Sequence, residues 1–214
     1  MPSATHEALI ARLAGNVAPV RRLPAPWRRA ALWLCAAVWL AGILGLFTDF
    51  PALAHRLAAA PDMWLATAGA VITAITAALA AFMTSIPGRS ALWGALPLPG
   101  LALWLAASGA GCLRATGIGW TEPEGSMHSM ACLYFIVLVA MPLAGLLVWQ
   151  IRSTCPLRPT LTTSLAGLAS AGAAASLLTL IHPFDATATD LAAHFVAVAL
   201  VVVGARIIGA GQFK

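Results

Sequence analysis

The sequence predicts an all-α polytopic membrane protein, a bundle of six transmembrane helices with a short cytoplasmic N-terminal arm. Three observations lead there. Of the 214 residues, 61% are hydrophobic and 9% charged, whereas soluble domains carry roughly 25% charged residues. Six apolar stretches reach or approach the ~20 residues that a helix needs to cross the hydrocarbon core. When the chain is threaded through six spans, ten of its twelve basic residues fall on one side.

The arm comprises residues 1–29 and carries five arginines. Leu9, Ile10, Leu13 and Val17 recur at helical spacing, which predicts a short amphipathic helix over residues 5–16. Pro19, Pro24 and Pro26 then forbid its continuation and leave an extended basic strip. The arm is too long for the n-region of a cleaved signal peptide, so the first apolar helix is expected to stay in the mature chain.

The bundle occupies residues 30–214, with spans expected at Ala30–Phe47, Met63–Thr84, Ala91–Cys112, Met130–Ile151, Leu161–Ile181 and Leu191–Gly209. Helices are required because lipid offers no partners for backbone N–H and C=O groups. The alternation of a membrane β-strand is absent. Proline stands at each basic-side entry to an odd-numbered span, as Pro26, Pro87 and Pro156, where its missing N–H is no loss. Pro97 and Pro99 are expected to bend the third span. The fifth span is rich in Ala, Gly, Ser and Thr, with Gly172 and Ser176 in small-xxx-small spacing, which places it inside the bundle and would also permit a homodimer. Tryptophans such as Trp64, Trp93 and Trp149 stand where interfacial anchors belong.

Orientation follows from the basic residues. Arg12, Arg21, Arg22, Arg28, Arg29, Arg89, Arg152, Arg158, Arg206 and Lys214 lie on one side, and only Arg56 and Arg114 on the other. The positive-inside rule makes the first side, with both termini, cytoplasmic. Six of the seven acids, Asp49, Asp62, Glu122, Glu124, Asp185 and Asp190, lie opposite. The net charge of +5 therefore describes a basic membrane face that meets lipid, not a nucleic-acid surface.

Cys112 is expected at the end of the third span and Cys132 near the start of the fourth, joined by 19 residues on the outer side, where oxidation is permitted. They are candidates for a reversible thiol–disulfide pair. His128, His182 and His194 belong to the same side, and two thiols with imidazoles would also suit a divalent metal such as zinc or cadmium. Packing alone is the third reading. Cys35 is expected mid-membrane and Cys155 in a cytoplasmic loop, outside any pair. No ionisable residue occupies the centre of a span, which argues against an ion-coupled transporter. The sequence has no Gly-rich phosphate loop, no H-E-x-x-H and no C-x-x-C, so no enzyme and no resident cofactor is expected. A small transporter or a thiol/disulfide redox protein using the same cysteines is the rival class.

Several local patterns together resemble a known family. They are Pro19-Val20-Arg21-Arg22-Leu23-Pro24, Trp27-Arg28-Arg29, Pro87-Gly88-Arg89, Leu96-Pro97-Leu98-Pro99, Gly111-Cys112, Cys132-Leu133, Pro156-Leu157-Arg158-Pro159, and His182-Pro183-x-Asp185 with His194. In this order the chain is similar to the NrsF-type negative regulators of sigma factor over nearly its whole length. The resemblance implies a bacterial inner-membrane anti-sigma factor that sequesters an extracytoplasmic-function sigma factor and releases it under oxidative or heavy-metal stress. It also implies that Cys112 and Cys132 are the sensing pair. The arm then becomes the sigma-binding element, with Leu9, Ile10, Leu13, Pro19, Arg21 and Arg22 as contacts: an apolar helical face beside guanidinium groups able to pair with carboxylates.

Overall fold

A computed structural model describes residues 3–15, 23–116, 125–181 and 188–212. Among them the regular elements are all helical: α1 (Ser3–Gly15), α2 (Pro26–Gly45), α3 (Phe50–Ala59), α4 (Pro61–Thr84), α5 (Leu98–Thr116), α6 (Gly125–Ile151), α7 (Pro159–Ile181) and α8 (Ala188–Gln212), with 3-10 turns at Ala91–Ala95 and Arg152–Thr154. Six of these segments are long and apolar enough to cross a membrane. The expected all-α, six-span membrane architecture is therefore present.

Each span starts and stops for a local reason. Prolines open α2, α4 and α7 at positions that need no N–H donor. Between the first two spans lies α3, which the apolar pattern did not reveal. Its Asp49 cap accepts the Ala52 N–H at 3.0 Å, Pro51 sits in its first turn and Leu53 is buried. The third span is broken rather than bent. Pro97 and Pro99 cannot donate to the carbonyls of Trp93 and Ala95, so the Leu96 N–H donates to Trp93 three residues back at 3.1 Å, closing a 3-10 turn before α5 begins. Both outer ends flanking the cysteines run further than expected, α5 to Thr116 and α6 back to Gly125. Cys112 thus lies in the last turns of α5, and Cys132 two turns inside α6.

Helix α7 is the axis of the bundle. It packs against α4, α6 and α8, and it is buried along nearly its whole length, as its small residues led one to expect. A Cβ on Gly172 would come within 2.9 Å of the Ala70 carbonyl oxygen of α4, and one on Gly167 within 2.7 Å of the Val202 Cα of α8. Only glycine lets these backbones approach so closely. The small-residue faces of α7 are thus occupied by helices of the same chain. Helix α2 leans on α4, α6 and α7, while α5 lies mainly on α4 with a smaller contact to α8. Hydroxyl groups within the spans satisfy themselves locally: Thr73 donates to the Gly69 carbonyl at 2.7 Å and Ser170 to the Ala166 carbonyl at 2.9 Å.

The spans alternate in direction, so Pro26, Thr84, Ile151, Pro159 and Gln212 share the arginine-rich end. There a core of Ala30, Trp33, Phe82, Leu147, Ile151 and Leu165 closes the bundle. Fully buried Trp33 donates its indole N–H to the Leu143 carbonyl at 2.9 Å, tying α2 to α6 immediately after Pro142, the proline inside α6. Thr84 of α4 and Thr162 of α7 share a buried hydroxyl contact at 3.2 Å.

Candidate sensing and partner-binding sites

The two cysteines singled out by the sequence sit in different surroundings. Cys132 is 1% exposed and belongs to a cluster with Ile136, Ala171, Ala174, Ala197 and Val201, so its side chain is enclosed by α6, α7 and α8. Cys112 is half-buried on α5. A Cβ on the preceding Gly111 would strike the Asp62 carboxylate, so the first turn of α4 presses on α5 beside Cys112. No disulfide joins any of the four cysteines in this structure. Helices α5 and α6 are not principal packing partners: α5 belongs to α4, and α6 to α7 and α8. A disulfide demands Cα atoms within about 7 Å, so joining Cys112 to Cys132 would couple two helices that the bundle otherwise keeps in separate layers.

Of the imidazoles proposed beside them, His194 lies on α8, half-buried. His182 and the side chain of His128 lie outside the described residues. Among the described residues no group of three or more His, Cys, Asp or Glu side chains is gathered closely enough to hold a metal ion. Cys35 and Cys155 are exposed, Cys35 on a membrane-spanning helix and Cys155 in a turn at a left-handed φ of 45°.

In the arm, α1 forms nearly where expected, and its described side chains, residues 6–15, are all exposed. Leu9 is 46%, Ile10 64% and Leu13 60% exposed, so an apolar ridge stands uncovered on this helix. Pro19, Arg21 and Arg22 lie outside the described residues.

One residue on the arginine-rich end escaped the sequence reading. Arg29, one of five similar arginines in the arm, is only 8% exposed and its guanidinium lies over the Phe82 ring at 4.9 Å. The available signal was its spacing: Arg29 precedes buried Trp33 by four residues, so the two share a helix face. Arg28 and Arg152 behave differently, each lying 5.1 Å from the ring centre of an exposed tryptophan, Trp27 and Trp149.

The family model described as negative regulator of sigma F, NrsF, matches residues 13–213, nearly the whole chain. The chain belongs to the NrsF family. Membership implies negative regulation of a sigma factor, and the six apolar helices make this NrsF member a membrane protein. No curated protein and no solved structure matches the chain.

Proposed function

We propose that this NrsF-family protein is a membrane-bound anti-sigma factor that holds an extracytoplasmic-function sigma factor at the cytoplasmic face of a bacterial inner membrane. Residues 1–29 form the contact element, and reaction of Cys112 and Cys132 with an oxidant or a soft divalent metal releases the partner. The family match carries the regulatory part of this reading. Exposed Leu9, Ile10 and Leu13 support the arm as the contact, because an amphipathic helix commonly recognises its partner by such a ridge, with Pro19, Arg21 and Arg22 completing it. The basic asymmetry supports cytoplasmic termini.

For the oxidative trigger, two thiols lose two protons and two electrons to a peroxide-class oxidant and form one disulfide, the O–O bond breaking to give two waters, or water and an alcohol. Drawing α5 and α6 together would disturb the small-residue cluster around Cys132. Helix α6 carries the shift to Pro142 and Leu143, where Trp33 links it to α2, and α2 follows directly on the arm. Couplings of this kind are typically ~1–3 kcal/mol, a change in partner affinity of about five- to a hundredfold. For metals, ligation by Cys112 and Cys132 with His128 would act on the same helices, whereas His182, which follows α7, or His194 of α8 would draw in the last helical hairpin.

Deleting residues 1–24 tests the contact element. The sigma factor is expected to leave the membrane fraction, with sigma-dependent transcription switched on without stress. Unchanged co-purification of the sigma factor with the truncated protein would refute the assignment.

A further inference from the structure

A cation buried at the rim of a membrane protein needs an anion, and among the described residues Arg29 pairs with none. Its Nη2 is buried without a hydrogen-bond partner. The Phe82 ring beneath it compensates only part of the charge. Of the acids among the described residues, Asp49, Asp62 and Asp190 stand at the opposite end of the bundle, where α3, α4 and α8 begin. At the same end, in the last turn of α6, the Gln150 side chain also keeps a buried amide oxygen unpartnered. Arg29 lies about 5 Å inside the start of α2, flanked by exposed Trp27 and Trp149 with their guanidinium partners. That arrangement of tryptophan and arginine marks the headgroup layer.

The geometry points to a phosphate-binding site at Arg29, occupied by the headgroup phosphate of an anionic phospholipid. The guanidinium fork matches phosphate oxygens, and the small part of Arg29 that remains exposed is where such an oxygen would meet it. Depth favours lipid over a protein carboxylate, because a phosphodiester already resides in this layer, whereas a protein acid would have to enter it. Basic recesses between helices on the cytoplasmic side are suited to such headgroups. Free phosphate shares the chemistry and is the other source to be separated by experiment.

Native mass spectrometry of the full-length protein in neutral detergent, titrated with phosphatidylglycerol or phosphatidylcholine, tests the site. The wild type is expected to retain one phosphatidylglycerol in preference to phosphatidylcholine. Arg29→Gln should weaken that retention about tenfold, the loss expected for a charged hydrogen-bonded contact, whereas Arg28→Gln, at an exposed guanidinium, should change it less than about twofold. Inorganic phosphate in excess forms the second arm. If it leaves the lipid in place, lipid is the occupant; if it displaces the lipid from the wild type and raises thermal stability only when Arg29 is present, the site takes free phosphate. Equal retention of phosphatidylglycerol by wild type and Arg29→Gln, or no preference over phosphatidylcholine in the wild type, overturns the assignment. Should Arg29→Gln fail to fold, Arg29→Lys keeps the charge and removes the fork, and lipid retention unchanged by that substitution also overturns it.

Discussion

The two ends of the bundle are built differently. At the arginine-rich end, large side chains and hydrogen bonds cross between helices: Trp33 to Leu143, Thr84 to Thr162, and Arg29 against Phe82. Around Cys132 the contacts are apolar, Ile136 and Leu178 with alanines and Val201, while Cys112 rides on a helix attached chiefly to α4. Apolar contacts pack closely but carry no directionality. A tryptophan hydrogen-bonded to a neighbouring backbone moves only with that backbone. The arginine-rich end is thus tied by oriented hydrogen bonds, the cysteine-bearing end by apolar packing.

Three variants sharpen or break that contrast. Trp33→Ala should have the largest effect, a loss of ~3–5 kcal/mol, read by unfolding of the purified protein in mixed micelles. It should also uncouple α2 from α6, so that the sigma factor is retained poorly even without stress. A loss under about 1 kcal/mol would mean that this end is no more firmly tied than the other. Next in size, the double variant Cys112→Ser, Cys132→Ser should abolish oxidant- or cadmium-induced expression of sigma-dependent genes, removing a coupling of ~1–3 kcal/mol, with basal repression intact. A normal response from a reporter gene would move the trigger elsewhere. The smallest effect belongs to Thr162→Val, which deletes the hydroxyl contact with Thr84. About 0.6 kcal/mol is expected, the usual worth of a hydrogen bond between membrane helices, again read by unfolding. A value several times larger would make the hydroxyl pair, rather than Trp33, the main tie.

The spans were legible because lipid imposes a length and an apolarity that few other settings demand. Their ends were less so: residues 125–129 are polar yet helical in α6, and no apolar signal marks them. Helix α3 carried a legible cap in Asp49 and a starting Pro51, but its ten residues are too few for a pattern tuned to bilayer thickness. The break at Pro97 read as a bend because the prolines forbid two donors without stating how the chain will respond. Packing order was hidden for a deeper reason. In a bilayer, faces toward lipid and toward protein are both apolar, so amphipathic periodicity fades. Only α7 betrayed its place, through its glycines. Likewise the arm's arginines are alike in sequence, and only the three-dimensional path of α2 separates buried Arg29 from exposed Arg28. Cys112 and Cys132 were paired because both were expected at the outer level of the membrane, yet their separate helical layers follow from packing that depth does not record.

The close seat of Val202 on Gly167 also bears on how the molecule is made. Membrane segments leave the ribosome in sequence, N-terminal ones first, so α7 meets α4 and α6 already inserted and settles against them. Its Gly167 flank stays open to lipid until α8 arrives. The final segment therefore acts as the closing stave of a barrel, and a nascent chain that stalls before it would present an unfinished seam to the cell's quality-control machinery.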